Sequence, residues 1–169
     1  MIVRTHQDDR AISEAVYSEC ERYRYALTRV WDANSKRVTF VMLNPSKANE
    51  VSNDPTVERC ERRARALGYG AFRVTNIFAW RDTDPMAMRK AKRPEGPDNP
   101  RVLREAAIWA DDIIAAWGAH GSHREQGPKI AALLKAMDTP LYHLGLTKDG
   151  HPRHPLYISY KTQPTLWID

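Results

Sequence analysis

The sequence is poor in cysteine, in long apolar stretches and in repetition. Cys20 and Cys60 are the only thiols among 169 residues, which excludes a disulfide scaffold and argues against a cysteine-rich zinc or iron–sulfur site. No stretch approaches the ~18 apolar residues a membrane-spanning helix needs, so no membrane partner is expected. The opening residues, MIVRTHQDDR, lack the apolar segment of a secretory signal, and a cytoplasmic location with reduced thiols is expected by elimination. Neither an internal repeat nor a low-complexity segment is present. What remains is 42% hydrophobic and 28% charged, the makeup of a globular chain. A domain of this size buries roughly 70% of the surface its unfolded chain exposes. One domain over residues 1–169 is therefore expected, with no cofactor needed to complete its core.

Charge carries more information than size. Lys and Arg number 26 against 21 Asp and Glu, giving +5 and an isoelectric point near 9.3. Arg makes up 18 of the 26, and its planar fork pairs bidentately with phosphate or a base edge. The excess points toward nucleic acid. A GC-rich genome accounts for the same bias without any partner.

Apolar spacing and turn residues predict the elements. Residues 22–43 read as a hairpin: Tyr23, Tyr25, Leu27 and Arg29 alternate along one strand, residues 38–43 form the next, and residues 32–35 supply the turn. The second strand is nearly continuously apolar, as expected of a strand covered on both faces. Asp54 and Pro55 open a helix as N-cap and first residue, with Val57, Cys60, Ala64 and Leu67 on its apolar stripe and Gly68 beyond its end. Arg59, Arg62, Arg63 and Arg65 fall off that stripe. A strand at 72–78 follows, then a Pro-rich, charged stretch at 83–100 that reads as a functional loop or lid. A helix from Asn99 and Pro100 to Ala110, a strand at 112–117, a helix at 128–137 and a short strand at 141–144 complete the pattern, with an extended loop near 150–155. The alternation predicts an α/β three-layer sandwich with a central, mainly parallel sheet and the N-terminal hairpin strand on its edge.

In such sheets ligands bind beyond the carboxyl ends of the strands. That rule gathers Asn44 and Ser46, then Asn76, then Trp117 and His120, then the loop with His151 and His154. Each has a plainer reading: Asn44 as a turn stabiliser, Asn76 as the partner of a buried backbone group, Trp117 as core, and the histidines as solvated loop residues. Convergence of four signals on one face favours the functional reading.

The segments Leu43-Asn44-Pro45-Ser46, Asp54-Pro55-Thr56, Thr75-Asn76-Ile77-Phe78, Ala116-Trp117-Gly118 and Pro152-Arg153-His154-Pro155-Leu156-Tyr157 resemble the family named domain of unknown function 1643, over residues 23–157. That family in turn is similar to the uracil-DNA glycosylase superfamily, with its strand-end water-activating motif, base-reading Asn, Trp-Gly strand end and late His-Pro loop. The resemblance implies a uracil-DNA-glycosylase-like fold, and it implies that Asn44 positions the attacking water. Two departures stand out. Ser46 replaces the Gly of the Asn-Pro-Gly motif, which weakens an expectation of narrow uracil specificity. His-Pro occurs twice, at His151-Pro152 and His154-Pro155, with no Ser after either. His154 is preferred, because Leu156 and Tyr157 follow it where that superfamily carries its duplex wedge.

The chemistry implied is cleavage of an N-glycosidic bond. It requires a held water, stabilisation of a cationic sugar, and a donor to the departing base, which Asn, His and backbone groups supply without a metal. Asn76 offers donor and acceptor to a pyrimidine edge. Phe78 or Trp80 would stack on a base flipped from DNA, Leu156 or Tyr157 would wedge the vacated stack, and Arg81, Arg89, Lys90, Lys92 and Arg93 would hold phosphates. A solvated lid is the alternative for that charge run. Neutralising ~5 phosphates predicts a log–log salt slope of about -4 to -5. Asp54 is a secondary candidate for water activation, though its Asp-Pro context favours capping. His120 with His123, and His151 with His154, have loop spacings that do not define a metal site, and no Gly-x-Ser-x-Gly elbow surrounds Ser46. The expected activity is a metal-independent DNA glycosylase. A catalytically silent reader of modified bases and a hydrolase of free nucleosides or nucleotides are the alternatives.

Overall fold

The computed structural model describes residues 1–168. Eight strands form one sheet in the order β1-β2-β3-β5-β4-β6-β7-β8, from β1 (Ile2–Gln7), β2 (Ile12–Tyr17), β3 (Arg24–Val30), β4 (Arg37–Met42), β5 (Ala71–Asn76), β6 (Asp112–Ala115), β7 (Leu141–His143) and β8 (Thr165–Leu166). Four of the seven pairings are antiparallel (β1 with β2, β2 with β3, β3 with β5, and β7 with β8), and the other three, β5 with β4, β4 with β6 and β6 with β7, are parallel. The sheet is therefore mixed and mostly antiparallel, and the expectation of a central, mainly parallel sheet is corrected. Two features account for the difference. Residues 1–21 contribute the β1–β2 hairpin, which has too few core-directed side chains to mark it as a pair of strands in the sequence, and the short β8 returns antiparallel at the far edge.

The expected hairpin over residues 22–43 is also corrected. β5 lies between β3 and β4, antiparallel to the first with Leu27 opposite Val74, and parallel to the second with Phe40 opposite Val74. The turn at residues 32–35 does form, with Asn34 N donating to Asp32 Oδ1 and Ser35 Oγ to Asp32 Oδ2. Gly70, however, enters between the two strand ends. Its carbonyl accepts from Trp31 N and Asp32 N, and its own N donates to Lys36 O. A Cβ on Gly70 would fall 2.1 Å from the Asp32 carbonyl oxygen, so only glycine admits β5 at this point. Alternating side chains look the same in a closed hairpin and in one split by a third strand.

Helices cover both faces of the sheet. Alternation along β4 sends Phe40 and Met42 to one face, against Val57, Cys60 and Ala64 of α1 (Pro55–Ala66), and sends Val41 to the other. There it meets Leu103 and Ala107 of α3 (Asn99–Trp109) and Ile130 and Leu134 of α4 (Gln126–Lys135). α1 begins where its sequence dictates: Asp54 Oδ1 accepts from Val57 N at 2.9 Å, Pro55 fills the first turn, and Gly68 adopts φ +87° past the end. The stretch 83–100 is more ordered than a free lid. It contains the short helix α2 (Pro85–Lys90), buries Met88, and is tied down by Tyr23 Oη donating to Arg93 O and by Trp80 N donating to Pro94 O.

Candidate functional site

A cleft of about 410 Å³ opens at the carboxyl ends of β4, β5 and β6. Asn44, Ser46, Asp54, Asn76, Trp117, His154 and Leu156 all line it. The parallel pairing of Met42 with Asn76 and of Val41 with Ala115 ends three strands at one level, so the loops that leave them share this opening.

Asn44 is fixed by its neighbours. Its Nδ2 donates to Asp82 O at 2.8 Å and to Pro45 O at 3.3 Å, which spends the amide's donors and leaves Oδ1 as the acceptor available to the cleft. Ser46 Oγ donates to Thr83 Oγ1 at 3.2 Å, joining the β4 loop to the segment after β5. Asn76 is 1% exposed, and its buried Nδ2 has no acceptor among the described residues. Asp54 caps α1 and also accepts from Ala48 N through Oδ2 at 3.3 Å, so both of its oxygens already hold backbone groups.

His154 enters the cleft beside Gly118. Gly118 adopts φ +74°, its N donates to Pro152 O at 2.8 Å, and a Cβ there would lie 3.4 Å from His154 Cβ. His154 Nδ1 accepts from Leu156 N at 3.3 Å, which puts the neutral ring's proton on Nε2. Burial lowers its pKa below the ordinary histidine value, opposed by the charge of Asp54. The cleft thus presents a neutral imidazole.

The remaining predicted residues lie elsewhere. His151 lines a second cleft, of about 340 Å³, with Trp167 and the opposite side of Trp117. Phe78 is fully buried in the core, 5.7 Å from the His123 ring, and Trp80 packs edge-on to Tyr23. Neither lines the main cleft. Tyr157 is 93% exposed and holds φ +76°, one residue beyond the cleft-lining Leu156. Arg81 donates to Glu21 O and stacks over Tyr17. Arg89 and Lys90 end α2, and exposed Lys92 and Arg93 follow it. These four join Arg124, whose Nη2 donates to Lys92 O, and His123, whose pKa is lowered by burial and then by Arg89 and Arg124. His120 lines the main cleft, His123 packs on Phe78 and His151 faces the second cleft, so the two His-x-x-His spacings do not converge. No group of three His, Cys, Asp or Glu among the described residues is arranged to hold a metal ion, and no helix is long and apolar enough to cross a membrane.

Sequence reasoning missed Arg24, Asp82 and Thr83 in the lining. Arg24 is 1% exposed, and burial pushes its pKa down to about 10, opposed by Asp54. It belongs to β3, whose Tyr25, Ala26 and Leu27 are also buried. An arginine amid such residues was the signal.

The sequence matches the family described as "Protein of unknown function (DUF1643)" over residues 24–156. The chain belongs to that family. No curated protein and no solved structure matches it.

Proposed function

We propose that the protein is an N-glycosidic hydrolase that releases a flipped-out damaged or modified base from DNA, in the manner of the uracil-DNA glycosylases its motifs resemble. The observation that carries this reading is the meeting of Asn44, Asn76 and His154 in one cleft at the strand ends. Its volume lies at the small end of the range for small-molecule sites, ~300–1,000 Å³.

Each group matches one demand of the reaction. The Asn44 oxygen orients a water that needs little nucleophilicity in a dissociative transition state. The C1′–N bond breaks with its electron pair going to the base, the water oxygen bonds C1′, and a water proton ends on the base or in solvent. The neutral His154 donates through Nε2 to an acceptor on the departing base, where negative charge develops. The exposed Tyr157, next in the chain to the cleft-lining Leu156, supplies an aromatic to fill the vacated stack. The cations at 89–93 supply phosphate contacts.

Single-turnover base release is the test, on duplex and single-stranded DNAs carrying uracil, oxidised, alkylated and hypermodified bases. Release is expected from at least one substrate, with Asn44→Ala and His154→Ala each slowing it by about 100- to 1,000-fold. Absence of release throughout, or unchanged rates in both variants, defeats the proposal. Base-selective binding without turnover would instead mark a catalytically silent reader. Hydrolysis of free nucleosides or nucleotides is the competing reading, favoured by the fact that none of Arg89, Lys90, Lys92 and Arg93 lines the cleft. Salt-insensitive turnover of nucleosides without DNA affinity selects it.

A further inference from the structure

Three buried nitrogen donors in the cleft lining have no acceptor among the described residues, Asn76 Nδ2, Arg24 Nε and Trp117 Nε1, on side chains that are each 1% exposed. The Trp117 nitrogen packs against Gly121 and Gly127 beside the second cleft, which leaves Asn76 and Arg24. Of the three guanidinium nitrogens of Arg24, only Nη1 has a protein acceptor among the described residues, the Ala48 carbonyl at 2.8 Å. Buried donors are rarely left in this state, because the desolvation they suffer is uncompensated. Its one bond to the β4–α1 loop does not by itself account for a buried guanidinium, since buried ions can often be replaced by apolar side chains of similar size without loss.

The lining holds two carboxylates as well. Asp54 spends its oxygens on Val57 N and Ala48 N, and Asp82 accepts from Asp84 N. Asp54 offsets the Arg24 charge, and the buried unpartnered groups of the lining among the described residues are all donors. A neutral ring with acceptor atoms satisfies those donors, whereas a ring presenting an amino group meets donors with a donor.

We propose that Arg24 is a specificity-determining residue of the cleft, selecting with Asn76 a nucleobase edge that carries oxo or ring-nitrogen acceptors over one that carries an amino group. This rests on the nucleobase reading above. The pairing of a guanidinium with oxo and ring-nitrogen acceptors is the same chemistry by which arginine reads guanine. A site built around hydrogen bonds rejects the wrong partner strongly, because its buried groups are then left unpaired.

Calorimetric titration of the intact protein with free bases tests this, using the oxo/amino pairs hypoxanthine against adenine and uracil against cytosine. The oxo member of at least one pair is expected to bind about 10- to 100-fold more tightly. Arg24→Met should stay folded by circular dichroism and bring that ratio within about threefold, while Arg24→Lys, which keeps the charge and loses the fork, should recover it only in part. Asn76→Asp, which replaces the unpartnered amide donor by an acceptor, should lower the oxo preference as an independent check if Arg24→Met does not fold. The inference is overturned if no base binds, if the amino member binds as well or better in both pairs, or if a folded Arg24 or Asn76 variant keeps the full preference. The two proposals fail separately. Arg24-dependent oxo selectivity without cleavage of any DNA removes the hydrolase reading alone, and base release that persists with unaltered base preference in Arg24→Met removes this one alone.

Discussion

The arginines inside the molecule and those on the segment at 89–93 make opposite use of the same side chain. Arg29 is 5% exposed and bonds Asn53 Oδ1 through Nε and Nη2, with Nη2 also donating to Asn49 O at 2.8 Å. Arg24 holds Ala48 O. Together they secure the loop between β4 and α1, which carries Ser46 and ends at Asp54. Arg63, 1% exposed, donates to the carbonyls of Ile158, Ser159 and Thr162, and Arg59 also reaches Ile158 O. Those bonds secure the chain that follows His154 and Leu156. Loops have few backbone partners of their own, and a fork with five donors can satisfy several carbonyls at once. Lys90, Lys92 and Arg93, by contrast, extend into solvent. The arginine content therefore has two causes, and only the exposed part bears on a polyanionic partner.

The largest effect that tests this division is on stability. Arg63→Ala leaves three part-buried loop carbonyls without this donor, and unsatisfied groups of this kind cost about 1–3 kcal/mol. A fall in melting temperature of roughly 2–12 °C follows for a chain of this length. Arg62, on the same helix, is exposed and pairs only with Glu58 at i,i+4 among the described residues, so Arg62→Ala should leave the melting curve where it was. Equal effects from the two variants, read by calorimetry, would dissolve the distinction between buried and exposed arginines.

The same division explains what the sequence revealed. α1 was legible because Asp54, Pro55 and Gly68 act locally, through a cap, a fixed φ and a left-handed terminus. β4 was legible because a strand covered on both faces has little choice but to be apolar, and its end directs Asn44 into the cleft. The place of β5 between β3 and β4 was not legible, since it depends on a close approach of Gly70 to Asp32 across the sheet edge. Nor were the β1–β2 hairpin and β8. β1 is largely exposed and β8 has two residues, so neither carries a strong pattern. The roles of Arg24 and Arg63 were not legible, because the loop carbonyls they serve lie 24 and 95–99 residues away in sequence. Phe78 and Trp80 read as stacking residues by proximity to Asn76, yet the chain turns after Asn76 and packs them against the core and Tyr23.

The exposed set is probed through salt. Replacing Arg89, Lys90, Lys92 and Arg93 with Gln removes four cations, and if each neutralises a phosphate the log–log slope of duplex DNA affinity should become shallower by roughly 3–4. The melting temperature should be unaffected, because none of these side chains holds a buried carbonyl. A slope that stays the same transfers any DNA contact to another face. A large loss of stability would mean that these cations, too, are structural.

Burial separates histidines as it separates arginines, with a smaller consequence. An arginine keeps its charge inside the protein, whereas His154 gives its charge up: burial depresses its pKa in the folded state, with Asp54 opposing. The unfolded chain then binds a proton at higher pH than the native one does. The stability associated with neutral His154 is complete above the ordinary histidine pKa, near 6.5, and is lost as pH falls from there through the depressed native value. If the neutral ring is the donor to a departing base, base release should hold its rate down to that same depressed value. His154→Gln keeps a donor and cannot titrate, so it should flatten the acid limb of both the stability and the rate profiles. Acid limbs that persist unchanged in His154→Gln would assign them to another group.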